Sequence, residues 1–168
     1  MTNGWLGCEL GLLAGSLGKI AKDLVLISQF GVAEVAEAVE PGRGGPATMP
    51  YKHNPVACMV VIAAAQRAPQ RVAVLLAAMQ QEHERALGAW QAELAEWLLL
   101  VMSTHGSARA LAAALPHLLV DAKRMRTNLD AMRATLPKGT ADEWFDPALA
   151  QHAGELALAQ LAGIRESA

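Results

Sequence analysis

Cysteine is nearly absent: Cys8 and Cys58 are the only two in 168 residues. They share no Cys-x-x-Cys or metal-ligand spacing, which excludes a disulfide framework and points to a reduced, cytoplasmic chain. Aromatic residues are equally scarce, at 4 %. Strands favour aromatic and β-branched side chains, so this scarcity argues against a sheet protein. There is no excess of positive charge: 14 Lys and Arg stand against 16 Asp and Glu, for a net charge of −2. A nucleic-acid surface would need a basic balance, so nucleic acid is not an expected partner. An uninterrupted apolar run is also missing from the N-terminus. The stretch from Trp5 to Gly18 is apolar, but Glu9 breaks it, and Lys19, Lys22 and Asp23 follow. It reads neither as a signal peptide nor as a membrane span.

Alanine and leucine fill the space left by these absences, within a hydrophobic content of 53 %. Both favour helices. Leu6, Leu10, Leu13, Leu17, Ile20, Leu24 and Ile27 are spaced alternately by 4 and 3, a heptad seam along one helix face from about 4 to 30. Gly4, Gly7, Gly11, Ala14, Gly18 and Ala21 form a second stripe, of small residues. Each Gly costs roughly 1 kcal/mol against Ala in a helix interior. Two stripes on one helix therefore predict burial on two sides, as in a large bundle.

Asn54-Pro55 predicts the start of a second helix, with Asn as cap and Pro in the first turn. This helix is expected to run to about Leu87, kinked at Pro69. A third is expected over 90–115 and a fourth over 116–136, opened by Pro116. Pro137-Lys138-Gly139-Thr140 reads as a break, and a last helix covers about 147–164. No strand is expected. The fold class is all-α, a bundle of long helices. Residues 1–136 form its body, and 137–168 form a linker and C-terminal helix. The apolar seams exceed what a small monomer requires, which predicts a homo-oligomer assembled through helices.

One stretch does not fit a plain bundle. Residues 43–55 read RGGPATMPYKHNP, dense in Gly and Pro around Lys52, His53 and Asn54. The run Met49-Pro50-Tyr51-Lys52-His53-Asn54-Pro55 resembles the M-P-x-K-x-N-P signature loop of the fumarase/aspartase superfamily. The flanking segments GLLAGSLGKIAKDLVLISQ (11–29) and MQQEHERALGAWQAELAEW (79–97) are similar to those of the bacterial 3-carboxy-cis,cis-muconate cycloisomerases. The resemblance covers most of 4–133, and the tail from Trp144 looks like that family's last helix.

This resemblance implies a long-helix bundle truncated to the family's second half, with the N-terminal half of the site in a separate chain or segment. It implies intramolecular lactonisation of a tricarboxylic diene in aromatic degradation through the β-ketoadipate pathway, with small polycarboxylates as partners and no cofactor. By the same resemblance Lys52 anchors a carboxylate, Asn54 donates a hydrogen bond, the backbone near Met49 adds anion affinity at the substrate, and Arg85 either reaches the substrate or belongs to a solvated helix end. Two serines of the family's loop are replaced by Pro46 and Ala47. Neither residue has a side chain able to transfer a proton, so this chain alone is expected to be inactive. The family's C-terminal domain, due between about Arg133 and Asp142, is reduced to a short linker. Two other readings stay open: a non-catalytic helical assembly module derived from such an enzyme, and another lyase of the superfamily.

Other candidates have plainer readings. His83 and Glu84 lack a second histidine at ligand spacing, so no metal site is expected. His105, in Ser-Thr-His-Gly, falls mid-helix and reads as an ordinary helix-face histidine. Trp90 and Trp97, seven apart, read as core. Lys123, Arg124, Arg126 and Arg133, with Asp121 and Asp130 nearby, read as a solvated face.

Overall fold

A computed structural model describes residues 3–38, 54–80, 83 and 87–166. The chain divides into two compact units, 1–121 and 122–168. The sequence pattern places the division between 136 and 137, where the Pro137-Lys138-Gly139-Thr140 stretch begins.

The first unit is built on three helices: α1 (Asn3–Ile27), α2 (Val56–Ala77) and α3 (Ala89–Ala114). The small-residue stripe of α1 is what brings α2 close. A Cβ built on Gly11 would lie 2.8 Å from Cγ2 of Val72, and one on Gly7 would lie 2.9 Å from Cδ1 of Leu75. A Cβ on Gly4 would strike Met79, and one on Gly18 would strike the Ala65 methyl. The order of these pairs makes α1 and α2 antiparallel. Their close approach offsets the poor helix propensity of glycine with dispersion contacts along the whole seam.

Two clusters fill the interior. Ala14, Ala68, Leu75 and Leu100 form one, with Leu10, Val72 and Trp97 against them. Ala21, Cys58, Val61 and Leu111 form the other, flanked by Leu17, Leu24 and Ile62. On α3 the buried positions are Leu100, Thr104, Ser107 and Leu111, again 4 and 3 apart. Ser107 Oγ donates to the Ser103 carbonyl at 2.8 Å, which satisfies its hydroxyl within the helix.

Among the described residues, only one of the two faces of α1 expected to be buried is covered. The stripe packs on α2, and Leu10, Leu17 and Leu24 flank the core. The alternate seam residues Leu6, Leu13 and Ile20 are 43 %, 47 % and 42 % exposed. Both α2 and the 89–117 stretch are long and apolar enough to cross a bilayer by length and composition. In this fold they supply the core clusters that pack against α1.

Four sequence expectations are corrected. Helix α2 ends at Ala77, ten residues before Leu87. The chain must reverse before α3, and the reversal uses left-handed backbone at His83 (φ 57°) and Gly88 (φ 88°). The Gln91 side chain then accepts from the Gly88 N–H at 2.7 Å, closing the first turn of α3. Pro116 does not open a long helix. It lies in a 3-10 turn over Leu115–His117, and the chain then extends. Two short strands, β1 (Val35–Ala36) and β2 (Leu119–Val120), pair antiparallel with Val35 opposite Val120 and Ala36 opposite Leu119. The Asp121 N–H donates to the Glu34 carbonyl at 2.9 Å and extends this pairing. Trp90 is not core but 40 % exposed, whereas Trp97 packs as expected.

The second unit holds α4 (Ala122–Ala134), α5 (Lys138–Trp144) and α6 (Pro147–Glu166). The 137–140 break is where α5 starts, with Pro137 as its N-cap residue. Asp146 Oδ1 accepts from the Ala148 N–H at 2.9 Å, so an Asp cap followed by Pro opens α6. The basic face of α4 is solvated, with Arg126 paired to Asp130 at 3.1 Å and Arg133 to Asp142 at 3.3 Å. His105, on α3 of the first unit, is exposed on a helix face, as read.

Candidate functional site

Pro46, Ala47, Met49, Lys52 and Arg85 lie outside the described residues, as do Arg43, His53 and Glu84. The site is therefore built from the two ends of the 39–53 stretch. Its N-terminal end leaves β1 at Ala36, anchored by the pairing with β2. Its C-terminal end is Asn54, exposed, followed by Pro55 and α2.

The opening of α2 departs from the sequence reading. Pro55 is the N-cap residue and makes no side-chain cap. Its carbonyl accepts from the Met59 N–H at 2.9 Å, the first helical bond. The two amides just before that of Met59, those of Ala57 and Cys58, need an acceptor from elsewhere, because proline carries no side-chain oxygen. Glu37 supplies it. Its Oε2 accepts from the Ala57 N–H and its Oε1 from the Cys58 N–H, both at 3.1 Å. The role expected of Asn54 thus falls to a carboxylate about 20 residues earlier in the chain, and Asn54 keeps an exposed position.

This arrangement also sets the chemistry of Cys58. Burial, then the hydrogen bond and negative charge of Glu37, push its thiol up to about 12. Such a thiol stays neutral and is no nucleophile near neutral pH. The carboxylate also fills the positive end of the helix dipole, where a free anion would otherwise bind.

A separate polar cleft of ≈ 390 Å³ lies between α2 and α3, lined in part by Gln66, Arg67, Gln70, Arg71 and Glu96. Arg71 Nη1 pairs with Glu96 Oε2 at 3.3 Å. Among the described residues the buried Arg71 Nε has no hydrogen-bond partner. Sequence reading singled out none of these residues. Among the described residues no group of three metal-ligating side chains comes together.

Sequence reasoning missed Glu37 because the acidic stretch 34–40 offers Glu34, Glu37 and Glu40 as equals. The available signal was indirect. A helix opened by Pro55 lacks a local capping oxygen, so its second and third amides require a distant acceptor.

Comparison with known proteins agrees with this reading of the fold. A family model described as Lyase matches residues 6–69, a span that includes the whole 43–55 stretch. A 3-carboxy-cis,cis-muconate cycloisomerase of Pseudomonas aeruginosa is 51 % identical over 120 residues, covering 71 % of this chain and 26 % of the relative. The crystal structure of 3-carboxy-cis,cis-muconate lactonizing enzyme from Pseudomonas putida superposes with a TM-score of 0.67 at 36 % identity, over 91 % of this chain and 37 % of that one. A fumarate lyase structure from Mesorhizobium sp. BNC1 gives 0.65 at 31 % identity, over 77 % of this chain and 27 % of that one. The chain thus spans between about a quarter and two fifths of the length of these relatives. The shared helical bundle and the sequence identity make this chain similar to the 3-carboxy-cis,cis-muconate cycloisomerases, and its residues 6–69 match the lyase family model.

Proposed function

We propose that this chain carries the carboxylate-holding part of a cycloisomerase-type site and not its proton-transfer part. The reaction class is lactonisation of a tricarboxylic diene, in the β-ketoadipate pathway of the cytoplasm. Closing the lactone requires one carboxylate aligned with an alkene carbon, a proton delivered to the neighbouring carbon, and charge stabilisation of the other carboxylates. Lys52 and Asn54 fit the first and last tasks. Lys52 brings a point charge and Asn54 an exposed amide donor at the start of α2. Met49 and Arg85 complete the substrate contacts. Pro46 and Ala47 supply no proton, so turnover needs a group from outside these 168 residues.

The observation that carries this reading is the 51 % identity to a cycloisomerase combined with a lyase family match that spans the signature loop. The exposed seam of Leu6, Leu13 and Ile20, with Leu94, Leu98 and Met102 exposed on α3, supports helix-mediated self-association. The similarity to a fumarate lyase structure keeps a second reading open, that the substrate is a smaller dicarboxylate of another lyase.

Calorimetric titration separates these readings. The full chain should bind 3-carboxy-cis,cis-muconate more tightly than fumarate, and Lys52→Ala should abolish the difference. Equal affinity of wild type and Lys52→Ala would remove Lys52 from the site. A preference for fumarate would favour the second reading.

A further inference from the structure

The amides that open α2 are the natural place for a ligand carboxylate, yet they already hold one. Two hydrogen bonds of 3.1 Å tie both Glu37 oxygens to successive N–H groups, those of Ala57 and Cys58. The backbone that delivers Glu37 is itself held. Val35 and Ala36 pair with Val120 and Leu119, and the Glu34 carbonyl accepts from the Asp121 N–H. Val35 is buried and Glu37 half-buried. Cys58, one of the two amide donors, is fully buried within the second core cluster. Glu37 is therefore fixed from both sides, by a strand pair behind it and by the first turn of α2 in front.

We propose that Glu37 is a positioning residue: an internal carboxylate that occupies the anion site of α2 and leaves ligand carboxylates to side chains alone. This rests on the polycarboxylate reading above only in its second half. The occupancy of the amides stands on geometry whatever the ligand is. Two consequences follow. The ends of the signature stretch are clamped together through Glu37 and residues 57 and 58. A ligand carboxylate cannot reach the Ala57 and Cys58 amides without displacing Glu37, so its recognition falls to side chains and not to these amides.

The test uses the full chain and reads Cys58, not activity. Iodoacetamide labelling of Cys58 at fixed pH, with Cys8 as internal control, reports loss of the Glu37 carboxylate from the first turn of α2, both through opening of the turn and through the lowered thiol pKa that follows. Glu37→Ala should raise the Cys58 rate at least tenfold, because both charge-assisted bonds to the first turn are lost. Glu37→Gln, which keeps the shape but not the charge, should fall between. Sodium formate should restore protection to Glu37→Ala while equal sodium chloride does not, and neither salt should change the wild type. A loss of packing alone would not respond to formate. Should Glu37→Ala lose its helical circular dichroism, the Glu37→Gln rate decides. A Cys58 rate in Glu37→Gln equal to wild type, or no formate effect on a folded Glu37→Ala, overturns the proposal. These outcomes are independent of the Lys52→Ala titration, so either proposal can fail without the other.

Discussion

Adding one methyl group to Gly18 should separate the packing role of glycine from its helix propensity. In an exposed helix interior Gly→Ala gains about 1 kcal/mol. Gly15 is such a site, since a Cβ there meets nothing within 4 Å. Gly15→Ala should therefore stabilise the chain by about 1 kcal/mol. Gly18 faces α2, and its added Cβ would strike the Ala65 methyl. Alanine has no rotamer to move aside, so relief requires α1 and α2 to part. Overpacking of this kind costs about 1–3 kcal/mol, and the upper half of that range applies because neither side chain can yield. After the propensity gain, Gly18→Ala should destabilise by about 1–2 kcal/mol. The two substitutions, three residues apart on one helix, should thus differ by about 2–3 kcal/mol in opposite directions. Ala65→Gly in the Gly18→Ala background should recover most of the loss, giving a coupling of about 2 kcal/mol between the two positions. Urea unfolding followed by far-UV circular dichroism, at one fixed chain concentration, measures all of these. If Gly18→Ala raised the midpoint as much as Gly15→Ala does, the stripe would not be a packing seam and the reasoning would fail.

Two further outcomes are expected. The Cys58 thiol, raised from 9.0 to about 12 in the fold, keeps its proton while the unfolded chain loses it. Stability should be fully present below pH 9 and fall by about 1.4 kcal/mol per pH unit above it until the folded thiol also titrates. In Cys58→Ala, an unfolding series from pH 8 to 10.5 should lack this alkaline slope. Ala33 has φ of 51°, a left-handed conformation that costs an L-residue about 1–2 kcal/mol. Ala33→Gly should raise stability by about 0.5–1 kcal/mol in thermal unfolding, and a lowered midpoint would contradict the strain.

The helices that pack by regular spacing were legible in the sequence. The small-residue stripe of α1 foretold the close approach of α2, and the 4 and 3 spacing marked the seam. The ends of elements were less legible. Residues 78–87 have helical composition, and only the need to fold α3 back onto α2 ends the helix early. The β1–β2 pair is two residues per strand and rests on contacts about 85 positions apart, beyond any local pattern. The signature stretch was legible by its Pro and Gly and by its Lys52 and Asn54. Its anchor was not, because the residue that caps α2 comes from another element and is one of three similar glutamates. Trp90 shows the same limit: a heptad places it with Trp97, but only the inner end of α3 meets the core.

The claim that this chain holds carboxylates but cannot move the proton is tested most directly by one absorbance trace. The full chain is mixed with 3-carboxy-cis,cis-muconate, and the conjugated diene band is followed over time. Because Pro46 and Ala47 offer no proton donor, the band should decay no faster than in buffer alone. Restoring Pro46→Ser and Ala47→Ser should not by itself start turnover, since the resemblance places further catalytic groups outside these residues. Loss of the diene band at a rate proportional to the concentration of the unmodified chain would contradict the account and assign the proton to another group of this chain, with Tyr51 and His53 the first to substitute.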